Sequence, residues 1–362
     1  MESYRFKKED LISFCQKVFI VHGVSADDAH DCAEVLVAAD ARNIPSHGIA
    51  RLKRYLSGIQ EGSMDIHAQA EVIRDSPVSL LLDAEGALGV PVSKRAMNHV
   101  LDKAEKSGMA FACVRNSNHY GIAGYYAMMA LERDMIGISM TNTAALGVPT
   151  FGRQVMFGTN PMAFAAPADK EKSFVLDMST TVVTRGKIEV YDRESKDLVS
   201  GWAVDKHGKS VRQAGPLLDD MFHRKGGGIV PLGGDSEISG GHKGFGLAMM
   251  VDIMTGVLSG SAWGPDICDS QDSSARVSHC FGAMKIDLFM DSLQFRKNMD
   301  MMLQDIRNME AAEGQDRVYF AGLKEFEAEA DSLKLGVAVP AAVCESLRSI
   351  ADEFSISFPS AT

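Results

Sequence analysis

The stretch Ala110-Phe-Ala-Cys-Val-Arg-Asn-Ser-Asn-His-Tyr-Gly-Ile-Ala-Gly124 passes from an apolar run through a polar turn into a helical pattern that continues to Glu132. Apolar runs at 79–82, 136–140, 163–166 and 174–176 repeat its first half. Helical patterns at 93–106, 120–132 and 184–194 repeat its second. Strands alternating with helices predict a mixed α/β layer structure. The first seventy residues read as helical. A helix over 10–21 closes at Gly23, a second opens at Ser25 with acids in its first turn, and a third covers 49–59. Residues 197–241, rich in Gly and charge and most flexible at Gly226-Gly-Gly, read as surface loops. A buried helix over 243–258 is too short to span a bilayer and carries Asp252 in its middle. One more strand (283–288) and helices near 291–311, 323–332 and 340–354 complete the chain.

At roughly 150 residues per domain, 362 residues predict about two and a half domains. A chain that is 46% apolar and 23% charged is globular, not disordered. Its net charge of −11 argues against a nucleic-acid binder or a coat for anionic membranes. The polar start lacks the features of a signal or transit peptide. Six cysteines, Cys268 among them, are scattered without a CxxC pair and read as reduced thiols of a cytoplasmic protein. The 21 methionines read as adaptable core filling.

G-x-G-x-x-G, the P-loop pattern, H-E-x-x-H and the G-x-S-x-G elbow are all missing, so a bound nucleotide is held by something other than a Rossmann turn and no metal is expected. Four constellations remain. In Pro45-Ser46-His47-Gly48-Ile49-Ala50-Arg51 with Arg54 and Tyr55, the spacing of four predicts that His47, Arg51 and Tyr55 share one helix face. A histidine, a guanidinium and a phenol suit a hydroxy or keto acid, the guanidinium forking onto its carboxylate. The competing reading is a solvated helix start. Asn116-Ser-Asn-His119-Tyr120-Gly121 sits at a strand end, where ligands collect and a histidine can exchange a proton with an alcohol; a plain capping turn competes. In the third, Gly158-Thr159-Asn-Pro precedes Asp177-Met178-Ser179-Thr180 and Arg185-Gly186-Lys187. Ser179 or Thr180 there reads equally as the cap of the next helix, and Lys187 as a surface lysine. The fourth, Gly241-His242-Lys243-Gly244, offers close backbone approach and a cation to a phosphate, or helix-entry glycines needed only for packing.

Together, Ser46-His47-Gly48, Asn118-His119-Tyr-Gly, Gly158-Thr-Asn-Pro, Asp177-Met-Ser, Arg185-Gly-Lys-Ile and His242-Lys-Gly-Phe-Gly-Leu resemble the type-2 malate/L-lactate dehydrogenases. That family includes the ureidoglycolate and sulfolactate dehydrogenases. The resemblance spans nearly the whole chain and implies a sulfolactate dehydrogenase-like, non-Rossmann NAD(P)-binding fold, usually a homodimer. A helical domain from both termini (1–75 and 290–362) would flank a mixed-sheet cofactor domain (76–289). The implied activity is NAD(P)-dependent interconversion of a small 2-hydroxy acid, malate first, and its 2-keto acid, with NAD favoured over NADP. Carried over, His119 is the proton acceptor, with His47, Ser46 and Lys187 beside it. Arg51, Tyr55 and Thr159 contact substrate. Tyr120, Gly121, Thr143, Asp177, Met178, Ser179, Arg185, Gly186, His242, Lys243 and Gly244 contact cofactor. Lys187 stands at a position that is acidic in the imine-reducing branch, which leans toward carbonyl chemistry. Where relatives often carry Pro-Gly-Glu, this chain has Ala321-Gly322-Leu323-Lys324. Other branches of the family, an imine reductase and a non-catalytic nucleotide-binding homologue are the alternatives.

Overall fold

The computed structural model describes residues 3–267 and 274–362, so Cys268 and the first two residues lie outside it. The chain opens with β1 (Ser3–Phe6), α1 (Lys8–Val21), α2 (Ala26–Ala41) and α3 (Leu52–Gln60). The sheet region follows with β2 (Glu71–Asp75), β3 (Ser79–Asp83), α4 (Gly89–Ser107), β4 (Met109–Ser117) and α5 (Ala123–Met129). It continues through β5 (Met135–Thr141), β6 (Met162–Ala166) and β7 (Phe174–Met178). A small lobe holds α6 (Arg185–Arg193), β8 (Ala203–Val204), α7 (Ala214–Phe222) and β9 (Gly228–Ile229). Then come α8 (Gly241–Asp252), β10 (Val277–Lys285), α9 (Ser292–Arg307), α10 (Leu323–Leu335), β11 (Val337–Pro340) and α11 (Ala341–Glu353).

Both termini build one helical core. β1 pairs antiparallel with β11, and Phe6, Leu11, Phe14 and Leu36 pack with Val337, Val339 and Leu347 in a single cluster. Ser25 caps α2 as expected, its Oγ accepting the Asp28 N–H at 3.2 Å.

The main sheet has the order β2-β3-β4-β10-β5-β6-β7. Only β3 and β4 run parallel, joined by α4 as a crossover; the other neighbours are antiparallel. Alternation along each strand sorts the faces. Ala110, Ala112, Ala163, Ala165 and Phe281 look toward α4 and α5 in one core. Small residues there let α5 lie close: a Cβ at Gly137 would fall 2.1 Å from the Ala127 carbonyl oxygen. Burying a large side chain such as Phe281 or Met97 contributes about 1.5–3 kcal/mol.

The structure corrects several sequence expectations. Residues 197–241 are not plain loops. α7, β8 and β9 pack with α6 around Ile188, Leu198, Leu217 and Ile229, too few and too scattered in sequence to show a period. The last sheet strand covers Val277–Lys285 and ends in a 3₁₀ turn at Ile286–Leu288. The helix expected over 243–258 begins at Gly241 and changes to π geometry at Ile253–Val257. It is buried on one side only, since Met249, Ile253 and Val257 are exposed.

Candidate active site

After α2 the chain makes two 3₁₀ turns, Pro45–His47 and Ile49–Arg51, before α3 begins. Gly48 between them is extended (φ −85°, ψ −158°). His47, Arg51 and Tyr55 therefore do not share one helix face, because the helix that would align them is broken at Gly48. The break has a cause in α2. Asp40 is buried and its carboxylate accepts the Ile49 N–H at 2.7 Å. A Cβ on Gly48 would lie 2.1 Å from that carboxylate. Burial raises the Asp40 pKa to about 7.

The sheet delivers the second half of the site. β4 ends at Ser117, and the buried Asn118 amide donates to the carbonyls of Gly86 (2.8 Å) and Ala87 (3.0 Å). That grip fixes His119, which follows. The Tyr55 hydroxyl reaches across to it, 2.8 Å from Nδ1 and 3.0 Å from its carbonyl oxygen. The Gly121 N–H donates to the same Nδ1 at 3.3 Å. The Tyr55 hydroxyl can donate to Nδ1, or give its one hydrogen to the carbonyl oxygen and accept from Nδ1–H, so the contact accommodates either neutral tautomer of the ring. The His47 ring stacks on His119 with centroids 5.5 Å apart and planes 22° apart. Ser46 Oγ lies 2.9 Å from His47 Nδ1, and Arg51 Nε donates to the Ser46 carbonyl at 2.7 Å.

Enclosure by protein, then the charges of Arg51 and Arg54, hold the His47 pKa down to about 4. Enclosure first, then His47, Arg54 and Arg51, hold His119 well below the usual histidine range. Burial pushes the Tyr55 phenol up. At neutral pH the pair is uncharged and lies in the field of two guanidiniums, an arrangement that suits an anion with a proton to exchange.

Thr143 and Thr159 lie together: Thr159 N–H donates to Thr143 Oγ1 at 3.0 Å. Gly158 makes this possible, since a Cβ there would meet Thr143 Oγ1 at 2.0 Å. A cavity of about 310 Å³ opens beside residues 122–124, lined by Arg42, Gly124, Asp177, Phe320 and Lys324 among others. The unusual segment Ala321-Gly322-Leu323-Lys324 runs along β7, with the Ala321 carbonyl accepting the Val175 N–H at 3.1 Å, and forms one wall. Asp177 stands at this wall and accepts the Gly124 N–H at 2.7 Å.

Other expected site residues are placed elsewhere. The Tyr120 ring is buried, stacked on His279 at 4.4 Å, so only its backbone is left for a ligand. Lys187 is exposed on α6, its Nζ 5.3 Å from the centre of the Tyr191 ring, and makes no described contact with the histidines. Arg185 pairs with Glu189. Thr184, not Ser179 or Thr180, caps α6; Ser179 Oγ donates to the Thr181 carbonyl and Thr180 Oγ1 to that of Thr159. His242 and Lys243 are exposed at the start of α8. Gly241 and Gly244 answer to packing, their Cβ positions lying 2.0 Å from the Gly234 carbonyl oxygen and 2.2 Å from that of Leu232. Gly186 faces open space.

The malate/L-lactate dehydrogenase family pattern matches residues 6–348. The chain belongs to the malate/L-lactate dehydrogenase family. It is 42% identical over 351 residues to a malate dehydrogenase of Pyrococcus abyssi, covering 97% of this chain and 95% of that one. It is 34% identical over 294 residues to an L-sulfolactate dehydrogenase of Methanocaldococcus jannaschii, covering 81% of each. The crystal structure of malate dehydrogenase from Entamoeba histolytica superposes with a TM-score of 0.94 at 31% identity, covering 99% of this chain and 100% of that one. Membership makes the chain an oxidoreductase of small hydroxy and keto acids that works with a nicotinamide cofactor. No helix among the described residues is long and apolar enough to cross a membrane.

For this family member, sequence reasoning missed Asp40 and Arg42. The available signal was a carboxylate at the end of the apolar run Val35-Leu-Val-Ala-Ala39. Gly48→Ala is expected to lower the thermal unfolding midpoint through roughly 1–3 kcal/mol of overpacking. Ala50→Gly, at an exposed position of the same turn, should melt much nearer the wild type. An unchanged Gly48→Ala melt would show that Asp40 yields.

Proposed function

We propose that this chain is a malate dehydrogenase that interconverts malate and oxaloacetate, using NAD in preference to NADP. The observation that carries the reading is the neutral His47–His119 stack, tied by Tyr55 and flanked by Arg51 and Arg54. Arg51 takes the carboxylate next to the reacting carbon. Arg54, whose charge acts on the same histidine, suits the second carboxylate of a four-carbon diacid.

In the reducing direction His119 Nε2–H donates to the keto oxygen. The proton given up there is one the ring has taken up from solvent, so the ring ends neutral, and Tyr55 keeps its own proton while orienting the ring through Nδ1. Oxidation runs the same path backwards: the neutral ring takes the substrate hydroxyl proton on Nε2 and then releases a proton to solvent. His47, held by Ser46, orients the acid against His119, and Thr159 closes the pocket beside Thr143. The chain's residues fit a dinucleotide, since the cavity wall sets Asp177 near Arg42 and Lys324, an acid for ribose hydroxyls and cations for phosphates. Thr143, Asp177, Met178 and Ser179, with the backbone at Tyr120 and Gly121, would hold it. Gly186, Arg185 and the His242-Lys243-Gly244 entry to α8 lie farther out. A bound nicotinamide ring supplies the hydride donor or acceptor. Lys187 receives no step.

The working unit is a homodimer. The sheet face opposite α4 and α5 carries Met109, Phe111, Ile138 and Phe164, all exposed or half-buried, beside the exposed Met249–Ile253–Val257 stripe. A contiguous apolar face of this kind fits a second copy. Five described cysteines are free thiols, which fits the cytoplasm.

NADH oxidation should be fastest with oxaloacetate in a panel of 2-keto acids, and silence across the panel would remove the reading. His119→Ala should lose about 10²–10⁴-fold in turnover while still binding NADH, followed by its fluorescence. A low His119 pKa keeps the base unprotonated in acid, so kcat/KM for malate oxidation should hold its plateau down through pH 6.5. An acid limb centred at or above that pH would exclude His119 as the base. Sedimentation should give twice the 39.1 kDa chain mass, and Phe111→Asp should shift the particle toward a monomer; a wild-type monomer would refute the dimer.

A further inference from the structure

Cys113 and Cys280 take no part in the acid–base site, yet they face each other in the middle of the sheet. β4 and β10 are antiparallel and the two residues are direct partners. Direct antiparallel partners have Cα atoms about 4.5 or 5.5 Å apart, and both values fall within the roughly 4.4–6.8 Å span of a disulfide. No strand has to move to join them. The two thiols act on each other's ionisation, Cys113 being pulled down by Cys280 and Cys280 pushed up by Cys113 and by burial. Cys113 Sγ donates to the Met254 carbonyl oxygen at 3.4 Å.

Sulfur continues along the same register row. Met140 lies opposite Cys280, Met162 opposite Met140, and Met178 opposite Met162. Met250 and Met254, from α8 and its π turn, pack over the same cluster. Five adjacent strands thus contribute a sulfur-bearing side chain to one line on one face. Cys113 keeps 8% of its surface accessible and Cys280 none. A small oxidant therefore meets Cys113 first.

We propose that Cys113 and Cys280 form a redox site, a dithiol that a hydroperoxide closes to a cross-strand disulfide and that small thiols reopen. Cys113, as its thiolate, attacks the peroxide oxygen; the O–O bond breaks, hydroxide leaves with the thiol proton as water, and Cys113 becomes a sulfenic acid. The Cys280 sulfur then attacks the Cys113 sulfur. The S–S bond forms, the S–O bond breaks, and the Cys280 proton leaves with that oxygen as a second water. Two thiols lose two electrons and hydrogen peroxide gains them. Closure within the dithiol also keeps Cys113 from the irreversible sulfinic stage. It clamps β4, which leads to His119, to β10, whose His279 stacks on Tyr120.

The test treats the full-length chain carrying Cys268→Ser with hydrogen peroxide and reads intact mass and unreduced peptides. The expected result is a loss of about 2 Da, a single cross-linked peptide pair containing Cys113 and Cys280, and full reversal by dithiothreitol. With Cys280→Ser added, Cys113 should instead gain about 32 Da and resist dithiothreitol. Five thiols still free after peroxide, oxygen added to Cys113 while Cys280 is present, or a cross-link between other cysteines would each overturn the proposal.

Discussion

The hydrogen bond between the Tyr55 hydroxyl and His119 Nδ1 joins residues 64 positions apart, one from the helical region and one from the end of a sheet strand. Each partner is immobilised by its own surroundings. Tyr55 is wholly buried and packs edge-on against Phe19, while Asn118 anchors the backbone before His119. A phenol and an imidazole that burial keeps neutral at neutral pH meet without electrostatic cost. That neutrality leaves Arg51 and Arg54 to bias the local field, which suits an anion.

Geometry around the bond follows from tight packing. Asp40 pulls the Gly48–Ile49 turn onto α2, and only glycine leaves it room. Gly137 admits α5 against β5, which places the Tyr120–Gly124 turn over the strand ends. The helix-facing side of the sheet is close-packed with small residues. The opposite side is large, apolar and incompletely covered, rich in sulfur where α8 lies over it and open where it does not. One sheet thus presents a finished core on one face and, on the other, both a reactive thiol pair and a surface that suits a second copy.

Several of the residues expected at the site do lie together. His47 and Tyr55 do meet His119, Ser46 meets His47, and Thr143 does meet Thr159. The reason given for their meeting was partly wrong, because a spacing of four implies a shared face only if the helix is continuous, and Gly48 interrupts it. Tyr120 illustrates the opposite error: an aromatic next to the expected proton-exchanging histidine has its ring in the core. Lys187 and Arg185, adjacent in sequence to a ligand-like motif, stand on a separate lobe. The lobe itself was invisible, since its core gathers Ile188, Leu198, Leu217 and Ile229 from segments with no common period.

Local sequence by itself determined most strands and helices outside residues 197–241, the Ser25 cap, and which functional groups are present, because these depend on neighbours within a turn or two. Tertiary structure alone decided that β10 enters between β4 and β5, that Cys280 faces Cys113, and that two histidines 72 positions apart stack. Strand order and ring stacking are set by the burial of whole faces against one another, and that free energy has no local signature along the chain.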